Sequence, residues 1–279
     1  YLLGVFDGHR LGGLRFRIDG GPFLDDDAAL ASPPWPSLRA LEQASLRLER
    51  AGVERDPSYG KWLGMLIAPG RSLGGARPKA SVVDERRSLW IAKFPSVDDT
   101  EDVGAWESVA YALAGKAGVV VAASERKRFG AKHHTFLTRR FDRNGSGKLH
   151  MHSLGGMTHV DYNRPQAFSY EAWFRLMLEL QLGHQALEQA YKRMVFNIVG
   201  RNQDDHVKNV SFLLDSMTAE WRLAPAYDLS FAAGSGYTAR HQMTLGGKSG
   251  DFTRALLLET GEKFSIKHPG AVIDEVIQA

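Results

Sequence analysis

Cysteine is absent from the 279-residue sequence. Its absence excludes disulfide frameworks, thiolate zinc sites, iron–sulfur clusters and thiol nucleophiles. It also fits a reducing compartment, and we expect a cytoplasmic protein. Long hydrophobic runs are missing as well, because none approaches the ~18–20 residues of a membrane-spanning helix. We therefore expect no membrane partner.

Neither sign of charge dominates, since 35 Lys and Arg oppose 32 Asp and Glu. Nucleic-acid-binding proteins usually cluster their basic residues, and here they are scattered, so no direct contact with DNA is expected. The densest basic patch, 125–128, is expected to be a solvated turn. The first residue is Tyr1, and a helical pattern stops unfinished at the last residues, so we expect trimmed ends.

The apolar pattern divides the chain into two halves. The first half is rich in short strands, which we predict at 80–83, 88–94, 119–123 and 134–141. It also contains a helix after Ser37 and another at 102–117. The second half favours helices at 169–182 and 184–199, followed by strands at 210–214 and 221–223. The sequence therefore predicts an α+β protein of two lobes, residues 1–140 and 141–279, with a ligand cleft at the hinge.

The strongest chemical motif is Asn-Gln-Asp-Asp-His-Val-Lys-Asn at 202–209, between a predicted helix and a predicted strand. Asp204 and Asn209 have the Asp-x-x-x-x-Asn spacing of the protein kinase catalytic loop. In that loop the Asp accepts the proton of the substrate hydroxyl and the Asn holds magnesium. By itself the pattern is common, and an exposed polar turn is the simpler interpretation.

A second acid, Asp228, follows the predicted hairpin in Leu-Ala-Pro-Ala-Tyr-Asp-Leu at 223–229. A carboxylate among apolar residues is costly unless it is paired or binds a metal. Kinases place their second magnesium ligand, the Asp of Asp-Phe-Gly, after such a hairpin, and here the triplet is Tyr-Asp-Leu. An ordinary ion pair or a helix cap is the alternative.

Two further signals lie upstream. Lys93 sits in the apolar run Trp-Ile-Ala-Lys-Phe, and kinases use such a lysine to bind nucleotide phosphates and to pair with a helix acid, for which Glu107 is the leading candidate. A surface lysine is the alternative. The segment 72–79, Ser-Leu-Gly-Gly-Ala-Arg-Pro-Lys, could cradle phosphate with backbone N–H groups. Each signal is weak alone, but all four occur in kinase order.

These residues resemble the HipA-like toxin kinases, bacterial serine/threonine protein kinases of toxin–antitoxin modules. The resemblance rests on 72–79, on Arg-Phe-Asp-Arg at 140–143, on 202–212 and on 223–229. The joint pattern of the last two segments is highly specific. The start of the chain, 2–16, also resembles the family, whereas the small N-terminal subdomain of long members is expected to be absent.

The resemblance implies ATP and Mg²⁺ as cofactors and a two-lobed protein-kinase-like fold. It implies Asp204 as catalytic base and Asn209 and Asp228 as metal ligands. It also implies three further catalytic residues: Lys93 as a contact of the ATP phosphates, and His206 and Lys208 beside the base, with Lys208 compensating the charge of the transferred phosphate. The expected nucleotide-binding residues are Gly74, Gly75, Ala76, Arg77, Lys79, Lys93, Glu107, Arg139, Arg140, Phe141, Asp204, His206, Tyr227 and Asp228. Among them, 139–141 are expected to form the hinge that binds adenine, mostly through backbone groups. Many relatives carry an acid at the position of Arg139, so this chain departs from the pattern there.

Ser72 matches the serine that family members autophosphorylate. A phosphate adds about −1.5 to −2 charge and is expected to pull the loop out of the nucleotide site and switch the enzyme off. By analogy the protein substrate is an aminoacyl-tRNA synthetase. The expected partners are a HipB-like antitoxin with a helix-turn-helix domain, through which DNA is contacted indirectly, and a separate small HipA N-terminal-like protein.

Two alternatives stay open, a kinase of a non-protein substrate and an antitoxin-binding pseudokinase. The presence of Lys93, Asp204, Asn209 and Asp228 argues against a pseudokinase. A histidine metal site at 133–134 or 150–152 is disfavoured, because adjacent residues of a strand face opposite sides and the alternate pair has no acidic partner nearby. A hydrolase triad is also disfavoured, since no Gly-x-Ser-x-Gly motif occurs.

Overall fold

The computed structural model describes residues 6–24, 31–70, 77–145, 147–161, 163–164, 166–215, 217–232, 234 and 236–279, without the side chains of 68–70. The chain forms two compact units. Unit 1 comprises Tyr1–Ser108 and Ala123–Lys148, and unit 2 comprises Val109–Ala122 and Leu149–Ala279. The sequence analysis expected a single boundary after 140. In the structure the units interleave, because 109–122 belongs to unit 2 although unit 1 continues after it.

The described residues contain both helices and strands. The strands are β1 (Lys79–Val83), β2 (Leu89–Lys93), β3 (Ser124–Lys127), β4 (Thr135–Arg139), β5 (Arg143–Asn144), β6 (Gly147–Lys148), β7 (His150–Ser153), β8 (Phe168–Ser169), β9 (Ser211–Asp215), β10 (Glu220–Leu223) and β11 (Met243–Thr244). The α-helices are α1 (Leu38–Leu48), α2 (Tyr59–Gly70), α3 (Val103–Lys116), α4 (Leu154–Thr158), α5 (Tyr170–Glu179), α6 (His184–Val199), α7 (Arg254–Lys263) and α8 (Pro269–Gln278).

Unit 1 is built on an antiparallel sheet with strand order β1-β2-β4-β3. Side chains two residues apart along a strand point to the same side of a sheet. On one side of this sheet these side chains are apolar. Helix α1 packs Leu38 and Leu41 against that face. The resulting core comprises Leu38, Leu41, Ala80, Val82, Trp90, Ala92, Phe94 and Leu137.

Most of the predicted elements of unit 1 are confirmed. The strands expected at 80–83, 88–94 and 134–141 are β1, β2 and β4, with ends shifted by a residue or two, and the helix expected at 102–117 is α3. The patch 125–128 is not a turn, because most of it forms β3 at the sheet edge, where charged side chains stay in solvent.

The prediction of a strand at 119–123 is wrong. This segment forms only an isolated bridge, between Val121 and Ala226. Ala122 donates its N–H to the carbonyl of Ala226, and the N–H of Ala226 donates to the carbonyl of Val120. The ladder stops there because its partner segment, within unit 2, is irregular rather than a strand.

Unit 2 contains the two helices predicted at 169–182 and 184–199, which are α5 and α6. Their apolar faces are buried through Trp173, Phe174 and Met177 of α5 and Tyr191 and Met194 of α6. The predicted hairpin at 210–214 and 221–223 is β9 and β10, and β7 extends it to the order β10-β9-β7. The loop that carries the strongest sequence motif therefore joins a buried helix to a small sheet.

Candidate active-site residues

Lys93 and Glu107 form an ion pair inside unit 1. Lys93 ends β2, Glu107 lies on α3, and Lys93 Nζ is 2.5 Å from Glu107 Oε1. The two side chains are 12% and 7% exposed, so the alternative of a surface lysine is wrong. A buried ion pair is costly to desolvate and is weak evidence for stability.

The first turn of α3 fixes the position of Glu107. Asp102 caps the helix by accepting the Ala105 N–H at 3.1 Å, and the same oxygen accepts the His134 N–H at the start of β4 at 3.0 Å. Gly104 allows this close approach, because a Cβ there would lie 2.2 Å from the His134 carbonyl oxygen. The helix is thereby bound directly to the sheet that carries Lys93.

The segment expected to cradle phosphate is only partly described. Ser72, Gly74, Gly75 and Ala76 lie outside the described residues. Arg77 makes a two-pronged ion pair with Asp99, with N–O distances of 3.0 and 2.5 Å, and also donates to the carbonyl of Phe94. Arg77 therefore ties the end of this segment to the residues that follow β2.

Lys79 lies directly opposite Lys93 in the β1–β2 ladder. Opposed residues of an antiparallel pair point to the same face of the sheet, with Cβ atoms about 4.5–5.5 Å apart. A second cation thus accompanies Lys93 on that face. This arrangement suits an anionic ligand such as a triphosphate.

The segment 139–141, expected to bind adenine through backbone groups, is already engaged in unit 1. The Arg139 N–H donates to the carbonyl of Ala123 at 2.7 Å, and the Arg140 N–H donates to Leu89 at 2.8 Å. The guanidinium of Arg140 is buried and held by Asp142. An adenine hydrogen bond from either of these N–H groups would require a break in the sheet.

The loop 202–209 presents Asp204 and anchors Asn209. The Asp204 side chain is 38% exposed, and its carboxylate lies 3.7 Å from the ring of His206. Asn209 donates its Nδ2 to the Asp204 carbonyl at 2.9 Å and its backbone N–H to the His206 carbonyl at 2.8 Å. The amide is thereby oriented so that Oδ1 is its remaining ligand atom. Lys208, on the same loop, is exposed.

Asp228 lies at a strained point of the backbone. Its φ is +57°, a left-handed conformation that non-glycine residues seldom adopt and that concentrates at functional sites. Its N–H donates to the hydroxyl of Tyr111 at 2.9 Å. The segment before it is held by the buried Arg193, which donates to the Ala224 carbonyl at 2.9 Å. Sequence reasoning missed both Tyr111 and Arg193, which carry no local motif.

Tyr227 links the two expected metal ligands. Its hydroxyl donates to the Lys208 carbonyl at 2.6 Å and lies 2.6 Å from the hydroxyl of Ser211. Burial raises the pKa of Tyr227 above its ordinary value, so the hydroxyl remains a donor. The residue before Asp228 is therefore tied to the residue before Asn209. Tyr227 was expected to contact the nucleotide, and in the structure its hydroxyl binds the loop 202–209.

Asp205 is the polar residue of the motif that sequence reasoning left without a role. Its side chain is 0% exposed and accepts hydrogen bonds from the Tyr170 hydroxyl, the His241 ring and the Gln242 N–H. Asp204, its neighbour, faces solvent. The two adjacent acids in the sequence were a signal that one of them is buried and paired, since neighbouring carboxylates seldom have the same surroundings.

The oxygen atoms of Asn209 and Asp228 are ligands of the kind that Mg²⁺ prefers. Mg²⁺ is usually held by one or two carboxylates together with substrate phosphates rather than by a cage of protein groups. Among the described residues, no group of three or more His, Asp or Glu could hold a metal ion. An amide and a carboxylate oxygen fit a metal that arrives with a nucleotide, whose phosphates supply further ligands.

The comparisons with known proteins identify the family. Residues 71–279 match the model of the HipA-like C-terminal domain, so the chain belongs to this family. It is similar to HipA of the Shewanella oneidensis MR-1 toxin–antitoxin system, whose structure is a complex with HipB and operator DNA. The TM-score is 0.55 at 18% identity, over 74% of this chain and 58% of that one. This chain thus spans less than two thirds of HipA.

A second similar structure is the Helicobacter pylori proinflammatory kinase CtkA. Its TM-score is 0.50 at 14% identity, over 72% of this chain and 82% of that one. No curated protein sequence matches the chain. At these identities the likeness to solved structures shows the fold. The expected HipA-like family and a mixed α/β fold are thereby confirmed, and no described helix is long and apolar enough to cross a membrane.

Proposed function

We propose that the chain is an ATP- and Mg²⁺-dependent protein kinase of the HipA-like family that phosphorylates serine or threonine. The observation that carries the proposal is that two constellations of candidate residues are each held together by contacts within one unit. Unit 1 holds the buried Lys93–Glu107 pair, and unit 2 holds Asp204, Asn209 and Asp228 on two segments joined by Tyr227. We propose that both constellations act on one nucleotide.

The reaction requires a base, charge compensation and orientation. The hydroxyl oxygen of the substrate forms a bond to the γ-phosphorus, the bond to the β–γ bridging oxygen breaks, and ADP leaves. Asp204 takes the hydroxyl proton. Mg²⁺, when bound, would neutralise phosphate charge, and the oxygens of Asn209 and Asp228 would hold it. Lys93, oriented by Glu107, binds phosphate oxygens.

The biological setting is part of the proposal. We propose a growth-inhibiting toxin of the cytoplasm with an aminoacyl-tRNA synthetase as substrate, and inactivation by phosphorylation of Ser72. A HipB-like antitoxin is the proposed partner, with DNA reached only through it. The support is family membership and the similarity to a HipA seen in complex with HipB and operator DNA.

The test is intact-protein mass spectrometry after phosphatase treatment and incubation with ATP and Mg²⁺. The unmodified chain is expected to gain one phosphate, mapped to Ser72, whereas Asp204→Asn gains none because its base is lost. ATP binding, measured in parallel, should survive the substitution. Equal phosphorylation of the variant would remove Asp204 from the mechanism. No gain in either protein would favour a non-protein substrate or a pseudokinase.

A further inference from the structure

A buried chain of hydrogen bonds runs beside the catalytic loop of unit 2. Asn202 donates its Nδ2 to Asn197 Oδ1 at 3.0 Å, and Asn197 donates its Nδ2 to the Tyr170 hydroxyl at 3.2 Å. The Tyr170 hydroxyl donates to Asp205 Oδ2. Asn197 and Tyr170 each accept from the preceding residue and donate to the next one, so the bonds of the series polarise one another. The series ends on the carboxylate of Asp205.

Asp205 receives donors from a second direction as well. His241 Nδ1 lies 2.9 Å from Asp205 Oδ2, and the Gln242 N–H donates to Oδ1 at 2.7 Å. A carboxylate oxygen is an acceptor, so in this contact Asp205 Oδ2 faces the ring nitrogen Nδ1 as its donor. Both oxygens of Asp205 are thus occupied inside unit 2.

The partners of Asp205 come from separate elements. Tyr170 opens α5, and His241 and Gln242 precede β11. Strand β11 pairs with β8 directly before Tyr170, which fixes the two sets of donors relative to each other. The loop is therefore attached at one point to the start of α5 and to the β11 segment. That point is the residue next to Asp204.

From this arrangement we infer that Asp205 is a positioning residue for the catalytic base, and that Tyr170 and His241 act through it. The inference rests on the proposed kinase function. Successive side chains of an extended loop point in different directions, so a backbone held at Asp205 turns Asp204 towards solvent. Asp205 itself cannot reach a substrate hydroxyl, because its side chain is 0% exposed and both of its oxygens already face donors within unit 2.

The same loop is closed on its other side by Asn209, through bonds to the carbonyls of Asp204 and His206. Asp205 and Asn209 therefore hold Asp204 from both sides. A base that is misplaced by about 1 Å can lose about 100-fold in rate. The role of Asp205 is expected in the chemical step and not in the binding of nucleotide.

The test compares Asp205→Asn with Tyr170→Phe in steady-state phosphotransfer. In Asp205→Asn the side chain keeps its shape, but its NH2 group faces donors that the carboxylate had accepted from. We therefore expect about a 100-fold loss of kcat with an unchanged KM for ATP. Tyr170→Phe removes a single donor and is expected to lose less. Rates are expressed per folded molecule, from thermal melts of each sample.

Glu42→Gln is the matched control. Glu42 is a fully buried carboxylate in unit 1 that accepts from the Gly130 and Ala131 N–H groups and from the Thr135 hydroxyl. The Glu42→Gln substitution removes the same kind of charged acceptor as Asp205→Asn does, but outside the hydrogen-bond network of Asp205. We expect lower stability and an unchanged kcat. If both substitutions lower kcat equally at equal loss of stability, general destabilisation explains the effect and the inference is overturned.

Amide hydrogen exchange supplies a readout that does not need activity. In Asp205→Asn the amides of Asn202 and Asn209 should exchange faster, whereas in Glu42→Gln they should not. If the unmodified chain transfers no phosphate, the proposed function fails, and the exchange data alone decide whether Asp205 anchors the loop. Unchanged exchange, or an unchanged kcat in Asp205→Asn, would overturn the inference.

Discussion

Two neighbouring aspartates show how surroundings assign roles to identical residues. Asp204 is 38% exposed beside a histidine ring, and Asp205 is buried and accepts three hydrogen bonds. A general base must reach a substrate proton, which only the exposed carboxylate can do. Asp228 adds a third pattern, since its backbone rather than its burial is unusual. Chemical identity alone would not separate these three residues.

His9 offers a prediction at the same scale. Its Nδ1 accepts the Ser32 N–H at 2.8 Å and so must lack a proton. Burial, followed by the charges of Arg140, Arg143 and Lys148, lowers the pKa of His9 to about 4. Above pH 6.5 the ring is neutral in both the folded and the unfolded chain. As the pH falls from 6.5 to 4 only the unfolded chain gains the proton, so stability should fall.

The measurement is urea denaturation at a series of pH values between 7 and 4. In His9→Asn the amide oxygen can still accept the Ser32 N–H but does not titrate. The stability of the variant should therefore depend less on pH across that window. Parallel pH profiles for the two proteins would show that His9 contributes nothing to the acid sensitivity.

At the scale of elements, the N-terminal segment of unit 1 is attached by charge. Asp142 accepts from both guanidinium groups, at 2.7 Å from Arg140 Nη2 and 2.6 Å from Arg143 Nη1, and from the Gly12 N–H at 2.7 Å. Both arginines also donate to backbone carbonyls of residues 8–10. One carboxylate thus organises the contact between the start of the chain and residues 140–143.

Burial alone would raise the pKa of Asp142, but the hydrogen bond and charge of Arg140 and the charge of Arg143 outweigh it and hold the pKa below its ordinary value. Asp142→Asn would leave two arginines without their counter-charge in a buried site. We expect a loss of about 3–5 kcal/mol in the free energy of unfolding, measured with urea.

Asp161→Asn, which removes an exposed ion pair with Arg164, is the control for that measurement. It should shift the urea midpoint far less, because exposed pairs contribute little. Similar midpoints for the two variants would mean that the Asp142 network does not stabilise unit 1.

At the scale of the whole molecule, ligand binding should appear as stability. A ligand present at 100 times its Kd adds about 2.7 kcal/mol to the free energy of unfolding. For a chain of this size that corresponds to a rise of about 5 °C in Tm. We expect ATP with Mg²⁺ to produce such a rise, measured by thermal melting.

Asp228→Asn removes a proposed magnesium ligand and should reduce the rise seen with ATP and Mg²⁺ to that seen with ATP and a chelator. Lys93→Met should lower the rise under both conditions, because it removes a phosphate contact. A rise in the unmodified chain that the chelator leaves intact would contradict the proposed metal site.

The family, the order of the motifs and most helices and strands could be predicted from the sequence. These follow from local information, because apolar periodicity predicts α3, α5, α6 and the β9–β10 hairpin, and the motif at 202–209 is contiguous. Even the Lys93–Glu107 pairing could be proposed, since a strand lysine and the next helix acid lie close along the chain.

Contacts between groups that lie far apart along the chain could not be predicted from the sequence and are seen only in the fold. Tyr111 meets Asp228, Arg193 meets Ala224, and Tyr170 meets Asp205 across separations in sequence that no local pattern encodes. The membership of 109–122 in unit 2, between two parts of unit 1 along the chain, likewise depends on contacts between residues far apart in sequence. A hydrogen bond or a buried charge depends on distance in space, and the fold alone brings these residues within reach.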